Sequence, residues 1–152
     1  MKLKSCFFML MILAAFVVSG CSGLQLSSDT NHQAMAYLAG KGTAVAVYKV
    51  APKAAPPIEQ GWMDLMGRCN LMTEIPAAEM QQFFNGVMLK NIPTLKNDPY
   101  GLAGDLAFFT TLYGAQFNPA GEMTAIQPVP MVTARAFQIG YEGGRSVALA
   151  LR

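Results

Sequence analysis

AMAYLAG, residues 34–40, and ARAFQIG, residues 134–140, spell one pattern twice: alanine, any residue, alanine, an aromatic, two further residues, glycine. Small residues continue at four-residue spacing on both sides of the match, as Ala36, Gly40 and Ala44 in one copy and Ala136, Gly140, Gly144 and Ala148 in the other. On a helix that spacing makes a stripe of small side chains along one face, which lets a second backbone come close. Two short matches in a chain rich in alanine and glycine do not establish a repeat. Three uses of the stripe are open from sequence: packing of the two helices within one domain, self-association, or insertion into a bilayer surface.

Around the first copy, residues 31–50 contain no proline and read as the first helix, although Gly40 and Gly42 weaken it and TAVAV, 43–47, also suits a strand. APKAAPP, 51–57, ends it, because three prolines in seven residues remove donors and fix the backbone. Ile58, Trp62, Leu65, Met66 and Cys69 then fall on one face of a second helix. TEIP opens a third helix at Pro76, with Met80, Phe83, Phe84, Val87 and Met88 as its apolar stripe. Asp98-Pro99 starts a fourth, whose face carries Leu102, Leu106, Phe109 and Tyr113 and whose end falls at Gly114. Residues 115–130, with a turn signal at Asn118-Pro119-Ala120-Gly121, read as an irregular proline-rich loop before a last helix over 131–151. The fold class is all-α, a small bundle of four to five helices with Trp62, Phe83, Phe84, Phe109 and Phe137 in its core.

The N-terminus has a different character. Lys2 and Lys4 precede an apolar run from Cys6 to Val18 and then small residues, the order of a secretory signal and too short for a span of about 20 residues. Its end, Val18-Ser19-Gly20-Cys21, resembles the lipobox of bacterial lipoprotein precursors, a likeness that covers these four residues. The resemblance implies cleavage between Gly20 and Cys21 and a diacylglycerol unit on the Cys21 thiol, with an acyl chain on the new N-terminus. Residues 1–20 are then a cleaved signal, 21–30 a lipidated tether, and 31–152 a single helical domain. Ser22 rather than aspartate follows the lipidated position, which resembles the outer-membrane sorting choice if the host is Gram-negative. Two or three acyl chains hold a protein to the bilayer far more tightly than one.

Loss of Lys2 and Lys4 lowers the eleven basic residues to nine, equal to the nine acidic ones. The mature chain therefore has no formal net charge, and no basic surplus argues for nucleic acid as a partner. Its expected contacts are the membrane, through the anchor, and an envelope protein or a second copy of itself; a weakly charged surface favours association.

Met63, Met66, Cys69 and Met72 place sulfur at every third position. Thioether and thiolate are soft ligands that suit Cu(I). A three-residue step turns a helix by about 300°, however, so the four sulfurs sweep through about 180° and at most three consecutive ones converge. The chain also uses methionine elsewhere, at Met35, Met80, Met88, Met123 and Met131, as flexible apolar filler. Cys69 is the only thiol left once Cys6 departs with the signal and Cys21 carries lipid, so no intrachain disulfide forms.

Catalytic constellations are sparse. His32, the sole histidine, has no cysteine or carboxylate at metal-ligand spacing, and its reading is a solvated first-turn residue. The nearest carboxylate pairs are Asp98 with Asp105 and Glu74 with Glu79, but Asp98 caps a helix, Glu74 and Glu79 sit near a helix start where negative charge is favoured, and Asp105 lies off the apolar stripe. GKG at 40–42 lacks the strand and the Lys-Ser/Thr ending of a phosphate loop. The sequence thus reads as a membrane-anchored envelope lipoprotein with no enzymatic activity, a structural or protein-interaction module without a cofactor beyond its lipid. The alternatives are a lipoprotein that binds Cu(I) or a small apolar ligand and, behind it, an envelope hydrolase using carboxylates.

Overall fold

A computed structural model describes residues 28–93 and 110–151. The chain divides into two units, Met1–Thr30 and Asn31–Arg152, the second of which is the helical domain. Helix α1, Ser28–Val50, starts earlier than the first apolar residues suggest, with Asp29 inside its first turn, where a carboxylate meets the positive helix end. It is helical through Thr43–Val47, so the strand option for TAVAV does not arise.

The proline cluster breaks the chain for only a few residues. Ala51 leaves helical geometry, Pro52–Ala54 makes one 3₁₀ turn, and α2, Ala55–Arg68, begins at once. Pro56 and Pro57 lie in the first turn of α2, where a missing N–H removes no intrahelical bond. Ile58, Trp62 and Leu65 are buried along this helix and Cys69 closes it.

Pro76 is the residue before the next helix rather than its first: it is extended, at φ −58° and ψ 146°, and α3 runs over Ala77–Phe83. The helix then widens into a π-helical stretch, Phe84–Met88, and tightens again over Leu89–Asn91. In the wide stretch the Leu89 N–H donates to the Phe84 carbonyl, and the Asn91 side chain donates to the Val87 carbonyl at 2.8 Å. Met80, Phe83, Phe84 and Met88 are buried, as their spacing predicts.

The fourth helix expected from Asp98-Pro99, with Leu102, Leu106 and Phe109, lies outside the described residues, as do Asp98 and Asp105. Its last turn, 110–113, is present, and Gly114 follows at φ +61°, the left-handed conformation that ends a helix and suits glycine.

Residues 115–130 are more ordered than a loop. Gln116–Phe117 (β1) and Met123–Ala125 (β2) form an antiparallel hairpin, while Glu74–Ile75 (β3) pairs antiparallel with Val129–Pro130 (β4). The Asn118–Gly121 turn forms where its signal placed it. The Gly121 N–H donates to the Asn118 carbonyl at 2.9 Å, and the Asn118 side-chain oxygen accepts from Ala120 and Glu122. Asn85, in the wide part of the third helix, acts toward Met123 as another strand would, donating to its carbonyl at 2.9 Å and accepting from its N–H at 2.8 Å. Strand β4 leads directly into the last helix, α4, Met131–Ala150, whose Met131 N–H donates to Thr73 at 2.8 Å. Gly143-Gly144 does not interrupt it.

The protein is thus a small, mainly helical domain, with strand pairing among the described residues confined to two short ladders, of which the β3–β4 ladder lies just before the starts of α3 and α4. Its core centres on Trp62, which meets Phe83 edge to face at 5.4 Å and Phe137 at 5.3 Å. Phe84 packs on Phe117 at 5.2 Å.

Candidate functional site

The two stripes of small residues lie against each other. A methyl group on Gly40 would collide with the Phe137 carbonyl and come within 3.0 Å of the Tyr141 nitrogen. One on Gly140 would collide with the Tyr37 carbonyl, and one on Gly144 with the Lys41 carbonyl and, at 3.0 Å, the Ala44 side chain. The contacts are reciprocal: each glycine sits under the carbonyl of the aromatic residue three positions before the other glycine. Because Tyr37 meets Gly140 and Lys41 meets Gly144, the numbers rise together and α1 and α4 run parallel. The two copies of the pattern therefore pack in register, as a local twofold would place them. Ala36, Gly40, Ala44, Gly140, Gly144 and Ala148 are buried, and Ala136 is half-buried at the edge.

Beside this contact lies a polar cluster. The Tyr48 hydroxyl donates to Glu59 at 2.8 Å, and Arg145 approaches the other oxygen of the same carboxylate at 3.5 Å. The group joins α1, α2 and α4. Burial, then the hydrogen bond to Glu59 and its charge, pushes the Tyr48 phenol up. Burial pushes Tyr141 much further, with Glu59 again adding to the effect, so it stays neutral at any physiological pH. Its hydroxyl is buried and, like the Trp62 indole N–H, finds no hydrogen-bond partner among the described residues. Glu59 holds both its neighbours directly, an arrangement that ties three helices together.

The sulfur residues occupy unlike environments. Met63 is 62% exposed, Met66 is half-buried, Cys69 is fully buried, and Met72 lies beyond the helix end on an exposed turn. Burial raises the Cys69 thiol above its usual range, with the Glu79 charge in the same direction and Arg68 opposing. The folded chain therefore holds this proton more tightly than the unfolded chain does. The stabilisation from burying a neutral thiol is complete below the usual thiol value of 9.0, and it is lost as pH rises from there through the higher folded value, because the unfolded chain ionises first. In a chain with Cys6 and Cys21 replaced by serine, Cys69 is expected to react with a thiol reagent at least about a hundredfold more slowly when folded than in urea. Equal rates would show that the site is open.

Glu74 is exposed on β3, and Glu79 bonds Arg68 at 2.8 Å on the surface. His32 is half-buried on α1. No group of three or more histidine, cysteine or acidic residues able to hold a metal occurs among the described residues, and no described helix is long and apolar enough to cross a membrane. Gly20 and Cys21 lie outside the described residues.

What sequence reading misses is the outer surface of α4. Val132, Ala136, Ile139, Gly143 and Val147 fall at i, i+4, i+7, i+11 and i+15, one side of the helix, and its large side chains stand in solvent: Ile139 is 61% exposed and Val132 56%. The Tyr37 hydroxyl lies 3.7 Å from where a Gly143 side chain would begin, which carries the surface across to α1. Lys41 and Arg135 border it in solvent, and Glu142 marks its polar side, bonded to Gln138 at 3.1 Å. No protein family, no curated protein and no solved structure matches this chain.

Proposed function

We propose that this chain is the precursor of a lipid-anchored lipoprotein of the bacterial envelope, and that its mature part is a non-catalytic module acting by contact with other envelope components. The observation that carries the reading is Val18-Ser19-Gly20-Cys21 behind Lys2, Lys4 and an unbroken apolar run, the order in which a lipoprotein signal is read. The site geometry supports the second half of it. The polar cluster of Tyr48, Glu59 and Arg145 ties helices together, while an apolar face of α4 stands exposed. In a Gram-negative host the anchor would sit in the outer membrane, facing the periplasm.

Cells expressing the full chain and fed labelled palmitate test this. The wild-type chain is expected to carry label and to leave the membrane fraction only with detergent, whereas Cys21→Ser is expected to lose essentially all label and remain uncut. An unlabelled wild-type chain in a host that labels its other lipoproteins would end the reading.

A further inference from the structure

We infer that the outer face formed by α4 and Tyr37 lies on the surface of the bilayer that holds the anchor. The inference rests on lipidation of Cys21, proposed above. Three observations favour a membrane over a second copy as the occupant. Seven peptide steps separate Cys21 from Ser28, where α1 begins, and such a length spans at most about 25 Å, so the anchored domain never leaves the bilayer surface. That confinement keeps the domain within reach of lipid continuously, whereas a second copy has to be met by diffusion.

The direction of the helices supplies the second. Because α1 and α4 run parallel, the end of α4 that begins at Met131 lies at the same end of the pair as the start of α1, to which the tether is joined. The face starts there, with Val132, and continues along the helix through Ile139 to Val147. The third is composition. Ile139 and Val132 offer branched apolar side chains, Gly143 and Ala136 keep the surface shallow, and Tyr37 has the amphipathic ring that settles at headgroup depth. Lys41 and Arg135, exposed at the border, suit anionic headgroups.

The test uses the full chain, processed and lipidated in cells, with Cys6→Ser and Cys69→Ser. A single cysteine replaces Ile139, Val132 or, as a control on another helix, the exposed Gln82. Each carries an environment-sensitive fluorophore, and the protein is reconstituted into phosphatidylethanolamine–phosphatidylglycerol vesicles containing a lipid with a spin label high in its acyl chain. Quenching of about twofold or more is expected at 139 and 132 and none at 82. Adding Ile139→Glu is expected to abolish quenching at 132 while the helical circular dichroism is unchanged, since residue 139 is exposed.

Solvent-like emission without quenching at 139 in a chain whose mass shows lipid on Cys21 overturns the inference and leaves the lipoprotein reading standing. A disulfide joining two copies of the unlabelled Ile139→Cys chain, without lipid quenching, assigns the face to a second copy instead. A mature chain whose mass shows no lipid on Cys21 removes both.

Discussion

Replacing Gly140 with alanine is expected to destabilise the domain by about 2–3 kcal/mol, although alanine is the better helix former. In an open helix the exchange would contribute about 0.5–1 kcal/mol of stability, because glycine gives up more backbone freedom on folding. Here the added methyl meets the main chain of α1: it collides with the Tyr37 carbonyl and lies 2.9 Å from the Tyr37 Cα. A flexible side chain would swing aside; a carbonyl inside a helix moves only with its helix. Separating α1 from α4 then disturbs Ala36, Ala44 and Phe137 together, and that loss outweighs the gain in propensity. Gly67→Ala is the matched control, since it also lies in a helix but a methyl there meets nothing within 4 Å, and it is expected to be stabilising. Urea unfolding followed by circular dichroism separates the cases. A Gly140→Ala chain as stable as the wild type would mean that the two helices do not approach as described.

The larger effect is expected at Trp62. Its ring lies between Phe83 and Phe137 and so joins α2 to both α3 and α4. Trp62→Ala removes the largest side chain of the core and leaves a cavity whose walls come from three different helices, so it relaxes poorly. The expected loss is about 4 kcal/mol, a large part of the roughly 5–15 kcal/mol that holds a domain of this size together. Trp62→Phe is expected to lose only about 1–2 kcal/mol, because it keeps ring contacts and also removes a buried indole N–H that has no partner among the described residues. Since the chain has one tryptophan, unfolding of these variants is followed by far-ultraviolet circular dichroism. If the phenylalanine variant were as unstable as the alanine one, the indole N–H would have to be bonded in solution.

How much of this is legible in the sequence depends on how local the cause is. The faces of α2 and α3 are written in the spacing of Ile58, Trp62 and Leu65, and of Met80, Phe83, Phe84 and Met88, because one helix repeat suffices to show them. The turn at Asn118–Gly121 is equally local. The short ladders are not, since strands of two or three residues are too brief to display alternation. Glu59 offers no pattern either: it is one acidic residue on α2, and its partners come from two other helices. The exposed face of α4 escapes for a different reason. That helix is apolar on most sides, with Met131, Ala134 and Phe137 inward and Val132, Ile139 and Val147 outward, so periodicity does not say which side meets the core. The echo of AMAYLAG in ARAFQIG is intermediate: the sequence shows two compatible surfaces, and only the structure shows them meeting.

That meeting also governs timing. Gly40 and Gly140 stand one hundred positions apart and lie in the same contact. A chain made from its N-terminus presents α1 well before α4, with a strip of glycine and alanine that has little apolar surface to bury by itself. The sequence separation of that contact makes closure of the domain a late and slow event. Until it occurs, the glycine and alanine strip of α1 has no backbone packed against it.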